Sequence, residues 1–177
     1  MKLNRFIQVA LLMAIGLVLH YVVPPIMLGM KPDLLLSMLF IVLLMETDPR
    51  LTVEAGIIGG ILTALTTTFP GGQLPNVIDK ILTTFIVMGL IRLLKPAVGE
   101  KVTVVVIGVL GTIISGTIFL GSAALIAGLP GPFKVLFTTV VLPAALVNTI
   151  ALVVLYPLVI MSERAVRGKN HQPAIGK

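Results

Sequence analysis

Six runs of mostly apolar residues, parted only by short polar or Gly/Pro-rich breaks, fill this chain almost from end to end. About 20 such residues let one helix cross the hydrocarbon of a bilayer, and inside it an open chain must bond its own backbone as helix. The runs fall at about 4–23, 32–46, 51–69, 77–95, 102–127 and 133–161. The second is short, and the last two are long enough to tilt or protrude. Charged residues make up only 11% of the sequence, against about 25% in soluble domains. The expectation is an all-α membrane protein: one six-helix transmembrane domain over 1–162, then a basic tail over 163–177. The first run begins with Lys2 and Arg5 as a signal peptide would, but it is too long for an h-region and no small-x-small cleavage site follows. It reads as a membrane helix.

Six crossings place both termini on one side. With the termini in the cytoplasm, ten of the thirteen basic residues lie inside: Lys2, Arg5, Arg50, Arg92, Lys95, Lys101, Arg164, Arg167, Lys169 and Lys177. Only Lys31, Lys80 and Lys134 lie outside, which fits the positive-inside rule. The same placement explains the pI near 10.0 without nucleic acid as a partner; the partner it implies is membrane lipid. Cysteine is absent, which removes disulfides and thiolate metal sites.

The most unusual break is Phe69-Pro-Gly-Gly-Gln-Leu-Pro-Asn-Val-Ile-Asp-Lys80. Pro70 and Gly71-Gly72 interrupt the helix. Asn76 is placed to cap the next one, with Asp79 completing a capping box. Such a helix start can hold a carboxylate or phosphate, or serve simply as a turn with its own cap. The other two outer loops, around Pro24–Asp33 and Gly128–Lys134, are also short and stiff, as in a lid over an outward cavity. Between them the outer loops carry two carboxylates, Asp33 and Asp79, and three lysines. That near balance suits a zwitterion or small polar solute better than a strong anion, though each charge could instead snorkel or pair with another.

Small residues recur at helical spacing. Gly56, Gly60 and Ala64 in the third run, and Gly108, Gly111, Thr112, Ser115 and Gly116 in the fifth, predict close packing inside the bundle. Asn148 lies within the sixth run, so its amide faces the bundle or a cavity. With Pro143 nearby to loosen the helix, it could bond backbone as readily as ligand. His20 is expected at the interface. No phosphate-binding loop, Gly-x-Ser-x-Gly or His/Glu metal pair occurs, and no charge falls deep inside a run. The reading is a binding protein, not an enzyme, with neither cofactor nor metal and no energy source of its own.

Ala10-Leu-Leu-Met-Ala14 in a six-helix protein of this size resembles the first helix of an S component of energy-coupling factor transporters. Three further stretches sharpen the resemblance: Gly29-Met-Lys-Pro-Asp33, Thr67-Thr-Phe-Pro-Gly-Gly-Gln-Leu-Pro-Asn-Val-Ile-Asp-Lys80 and Val140-Val-Leu-Pro-Ala-Ala-Leu-Val-Asn148-Thr. Together they resemble the bacterial tryptophan transporter family of such components, from about residue 5 to 160. The resemblance implies a multi-pass protein of a bacterial plasma membrane that captures L-tryptophan from outside. It further implies release by toppling, driven by an energy-coupling module of one transmembrane coupling subunit and two ATPase subunits. Ala10 and Ala14 would be the docking face for the coupling subunit.

The chemistry of a tryptophan zwitterion, rather than the family, suggests the contacts. Lys80 and the helix start at Asn76 would receive the carboxylate, with Lys31 as the other candidate lysine. Asp79 or Asp33 would receive the ammonium, and Gln73 or Asn148 the indole N–H. Phe69, Met30 and Phe119 would line the ring slot. Competing expectations are an S component for another small solute such as a vitamin, a stand-alone secondary amino-acid carrier, and a membrane scaffold that binds no solute.

Overall fold

The computed structural model describes residues 2–24 and 31–169; Met30 and the tail from 170 lie outside them. The described residues form six helices: α1 (Lys2–Val22), α2 (Leu34–Met45), α3 (Pro49–Thr66), α4 (Gln73–Val98), α5 (Glu100–Ile126) and α6 (133–169). No strand occurs among the described residues. All six expected runs are helices, and α6 continues through 163–169, beyond the expected end of the last run. By length and apolar content α1, α5 and most of α6 could each cross a membrane. The chain is an all-α membrane protein.

The short helix α2 is the centre of the bundle. Its sequence, Leu-Leu-Leu-Ser-Met-Leu-Phe-Ile-Val-Leu-Leu-Met, is apolar on every side, and ten successive residues from Leu35 to Leu44 are buried. A helix apolar all round has no face to give to water, so α1, α3 and α6 close around it. Twelve residues rise only about 18 Å, against roughly 30 Å of bilayer hydrocarbon. The helix therefore cannot reach both membrane surfaces, and each of its ends is finished by a carboxylate. Asp33 caps the start by accepting from Leu36 N at 3.0 Å. Glu46 follows the other end and accepts from Thr47 N, Asp48 N and the Arg5 guanidinium at 2.8, 3.0 and 3.1 Å.

The small-residue stripes of α3 and α5 pack inward, as expected. A methyl built on Gly60 would lie 3.0 Å from Val77 Cα, so α3 meets the α4 backbone there. A methyl on Gly111 would lie 2.7 Å from the tip of Phe40, which fills the space beside α5. Ala10 and Ala14 differ: both are exposed on α1, on the face that also carries Ile7 and Leu11.

Two features were not expected. Helix α4 starts at Gln73 with Gly72 as its cap residue, so Asn76 lies inside the helix rather than capping it. The reason is Pro75: in the first turn its missing N–H leaves no bond unmade and its fixed φ suits a helix. In addition, α5 and α6 each contain a π turn, at Ile107–Gly111 and Phe137–Val141. An extra residue in a turn rotates everything after it by about 100°.

Gly60→Leu is expected to lower stability by about 1–3 kcal/mol through overpacking. Gly89→Leu, where nothing lies within 4 Å, should leave it unchanged. Thermal unfolding of both variants in detergent checks the pair.

Candidate functional site

At the end of the bundle away from the termini, a cavity of about 100 Å³ opens between the helices. Its charged wall is built from α2 and α4. Because α4 begins at Gln73, Asp79 and Lys80 lie about 10 Å along its axis, and each is no more than 2% exposed. Charges therefore do occur deep in the bundle, contrary to expectation. The misplaced helix start had put them at its mouth.

Lys80 Nζ lies 2.8 Å from Asp33 Oδ2 and also contacts Asp79 Oδ2. Neighbours in a helix sequence do not normally face one another; here Asp33, reaching across from the start of α2, draws the ammonium inward between both carboxylates. Asp79 is further held by Thr83 Oγ1 and Ser115 Oγ, each donating at 2.8 Å. His20 is buried, with Nδ1 3.2 Å from Asp33 Oδ1. Lys80 faces both carboxylates, with His20 against Asp33 and Lys31 lining the same cavity; ions this buried are costly unless compensated in this way.

Lys31 is half-buried and lines the same cavity beside Asp33. Burial lowers its ammonium pKa from the ordinary lysine value, and the attraction of Asp33 opposes the shift. Phe69 and Phe119 form an edge-to-face pair, with ring centroids 5.2 Å apart and planes at 84°, and supply an aromatic wall. Asn76 also lines the cavity, but its side-chain amide donates to Gly72 O at 2.8 Å and its backbone N–H to the same oxygen at 3.0 Å. One of its two side-chain N–H groups is therefore spent on its own helix. Gln73 is exposed and does not line the cavity, although it had been a candidate for the ring N–H.

Asn148 does line it, 1% exposed, and neither of its amide atoms has a hydrogen-bond partner among the described residues. Of the two uses left open for this amide, bonding to its own helix is not the one adopted. Sequence reasoning missed His20, Thr83, Thr112 and Ser115 as site residues. Thr112 and Ser115 belonged to a stripe read as packing alone. The available signal was the need of Asp79 for donors once it is buried.

Lys80→Met is expected to cost about 3–5 kcal/mol of stability, because it strands two buried carboxylates. Adding Asp79→Asn should recover part of that loss. Denaturation of the ligand-free protein checks both.

The sequence matches the family described as "Tryptophan transporter TrpP" over residues 2–164. It is 46% identical over 166 residues to a probable tryptophan transport protein of Clostridium acetobutylicum, covering 94% of this chain and 97% of that one. A probable tryptophan transport protein of Bacillus subtilis is 45% identical over 159 residues, covering 90% and 92% respectively. No solved structure matches the chain.

Proposed function

Given that the chain belongs to the tryptophan transporter family, we propose that it is the substrate-capture subunit of a transporter in a bacterial plasma membrane. In this reading its cavity takes L-tryptophan from the outer face. The observation that carries the reading is the Asp33–Lys80–Asp79 cluster, buried in an otherwise apolar bundle and open to the cavity. Ionisable groups at such depth are costly to keep and mark substrate paths.

An amino acid brings one ammonium and one carboxylate. The ammonium goes to Asp33 and Asp79. The carboxylate goes to Lys31 at the cavity mouth, because Lys80 is already engaged by two carboxylates. The ring lies against Phe69 and Phe119. The ten-to-three distribution of basic residues supports placing the termini in the cytoplasm and the cavity outside.

The energy comes from other chains, one coupling subunit and two ATPase subunits. The sequence has no phosphate-binding loop, and the exposed Ala10/Ala14 face of α1 offers a small-residue surface on which a membrane subunit can pack closely. A second reading, a stand-alone secondary carrier, is favoured by one observation: His20, Asp33, Lys80 and Asp79 form a chain of buried ionisable groups of the kind that relays protons. Uptake that survives ATP depletion but collapses with a protonophore would select it.

Isothermal titration of the detergent-purified protein with L-tryptophan is expected to give saturable heat. Asp33→Asn should weaken it by about 10- to 100-fold, from loss of a charge-assisted hydrogen bond. Unchanged affinity in both Asp33→Asn and Asp79→Asn would remove the ammonium assignment. Ala10→Trp with Ala14→Trp should abolish uptake and coupling-subunit association while sparing tryptophan binding. Loss of binding in that variant would instead assign the alanines to internal packing.

A further inference from the structure

The cavity has a second polar pole, different in character from the charge cluster, built around Asn148, the buried one of the two amides considered for the ring N–H. Thr112 on α5 and Asn148 on α6 both line it, 4% and 1% exposed. The Thr112 hydroxyl and both atoms of the Asn148 amide lack a hydrogen-bond partner among the described residues. Around them the lining is apolar: Leu36, Leu120, Val140, Val141 and Ala144.

The two side chains belong together by helix register. A methyl on Gly108 would lie 2.8 Å from Thr149 Oγ1, and one on Gly116 would lie 2.5 Å from Val141 Cγ1. That antiparallel register sets Thr112 opposite Ala145, less than one turn from Asn148. The π turn at Ile107–Gly111 ends immediately before Thr112, so the rotation it introduces acts on the face that carries this hydroxyl. On the other helix, Ser37 donates to the Asn148 carbonyl at 3.2 Å. That bond ties α6 to α2 at Asn148 and leaves the side-chain amide free.

Buried polar groups are rarely left unbonded, and each costs stability while it is. An amide and a hydroxyl held in an apolar pocket are suited to a neutral ligand group with a directional hydrogen bond. They are poorly suited to a charge, which neither residue neutralises. We propose that Thr112 and Asn148 form a neutral subsite that receives the ring N–H of the substrate and makes the cavity selective for indoles over other aromatic rings. This rests on the tryptophan-capture reading and gives it a specificity element. Asn148 Oδ1 is the acceptor of the N–H. Thr112 Oγ1, which does not bond that amide in this structure, is a second acceptor beside it.

The test is isothermal titration of the purified full-length protein with L-tryptophan and with 3-benzothienyl-L-alanine, in which sulfur replaces the ring N–H at nearly the same shape. The wild type is expected to prefer tryptophan by about 10- to 100-fold, because the sulfur analogue leaves the amide unpaired. Asn148→Leu should bring the ratio to within about threefold, mainly by weakening tryptophan, and Thr112→Val should narrow it less. Equal binding of the two ligands by the wild type would overturn the assignment and indicate an amide satisfied by water. A wild-type ratio retained in Asn148→Leu would overturn it as well. If that variant does not fold, the wild-type ratio and Thr112→Val still decide. Absence of tryptophan heat from folded wild-type protein would instead remove the capture reading, and this subsite with it.

Discussion

One lysine held between two carboxylates inside an apolar helical bundle constrains much of the rest of this structure. Lys80 draws Asp33 of the α1–α2 connection and Asp79 of α4 to one point, and burial then requires every remaining lone pair of the cluster to find a donor. Thr83, Ser115 and the backbone of α2 supply them. The cluster thereby links the start of α2, the second turn of α4 and the middle of α5. Apolar residues of similar volume often serve stability as well as a buried ion pair does, so stability alone is a poor reason for such a cluster, whereas recognition of a charged ligand is a good one.

The start of α2 carries half of that arrangement: Asp33, its cap residue, lies where Lys80 reaches it from α4 at 2.8 Å. The opposite end of α2 is closed in the same way by Glu46 and Arg5, with Lys95 donating to Leu44 O at 3.4 Å. Farther out at that end, Tyr156 donates to Glu100 at 2.7 Å. The charges at one pole line the cavity, while at the other pole they are spent on one another.

Much of the architecture was legible. The six helices and the inward stripes of α3 and α5 follow from apolar run length and small-residue spacing, which reflect local chain geometry; the outward Ala10/Ala14 face was expected only from the family resemblance. Asp33, Phe69, Asp79, Lys80 and Asn148, which line the cavity, were likewise legible as candidates, because a polar or aromatic group beside an apolar run needs a reason. The start of α4 was misread, since Asn76 offers a stronger local capping signal than Gly72. Only Pro75, tolerated within a first turn, argued for the earlier start, and those four residues decide whether Asp79 and Lys80 are at a helix mouth or buried. Gln73 and Asn148 were indistinguishable as amides in the sequence; one is exposed and the other buried because their helices turn different faces to the cavity.

The sequence by itself determined that this chain is a six-helix membrane protein, because hydropathy and charge placement are read by the bilayer residue by residue. Only the tertiary structure decided that Lys80 is bound by two carboxylates, that His20 faces Asp33, and that Thr112 and Asn148 share a pocket. Those facts depend on how far one helix is inset against another and how it is rotated. A missing half-turn, a π turn or a twelve-residue helix changes both, and no periodicity in a single run records its neighbour's register.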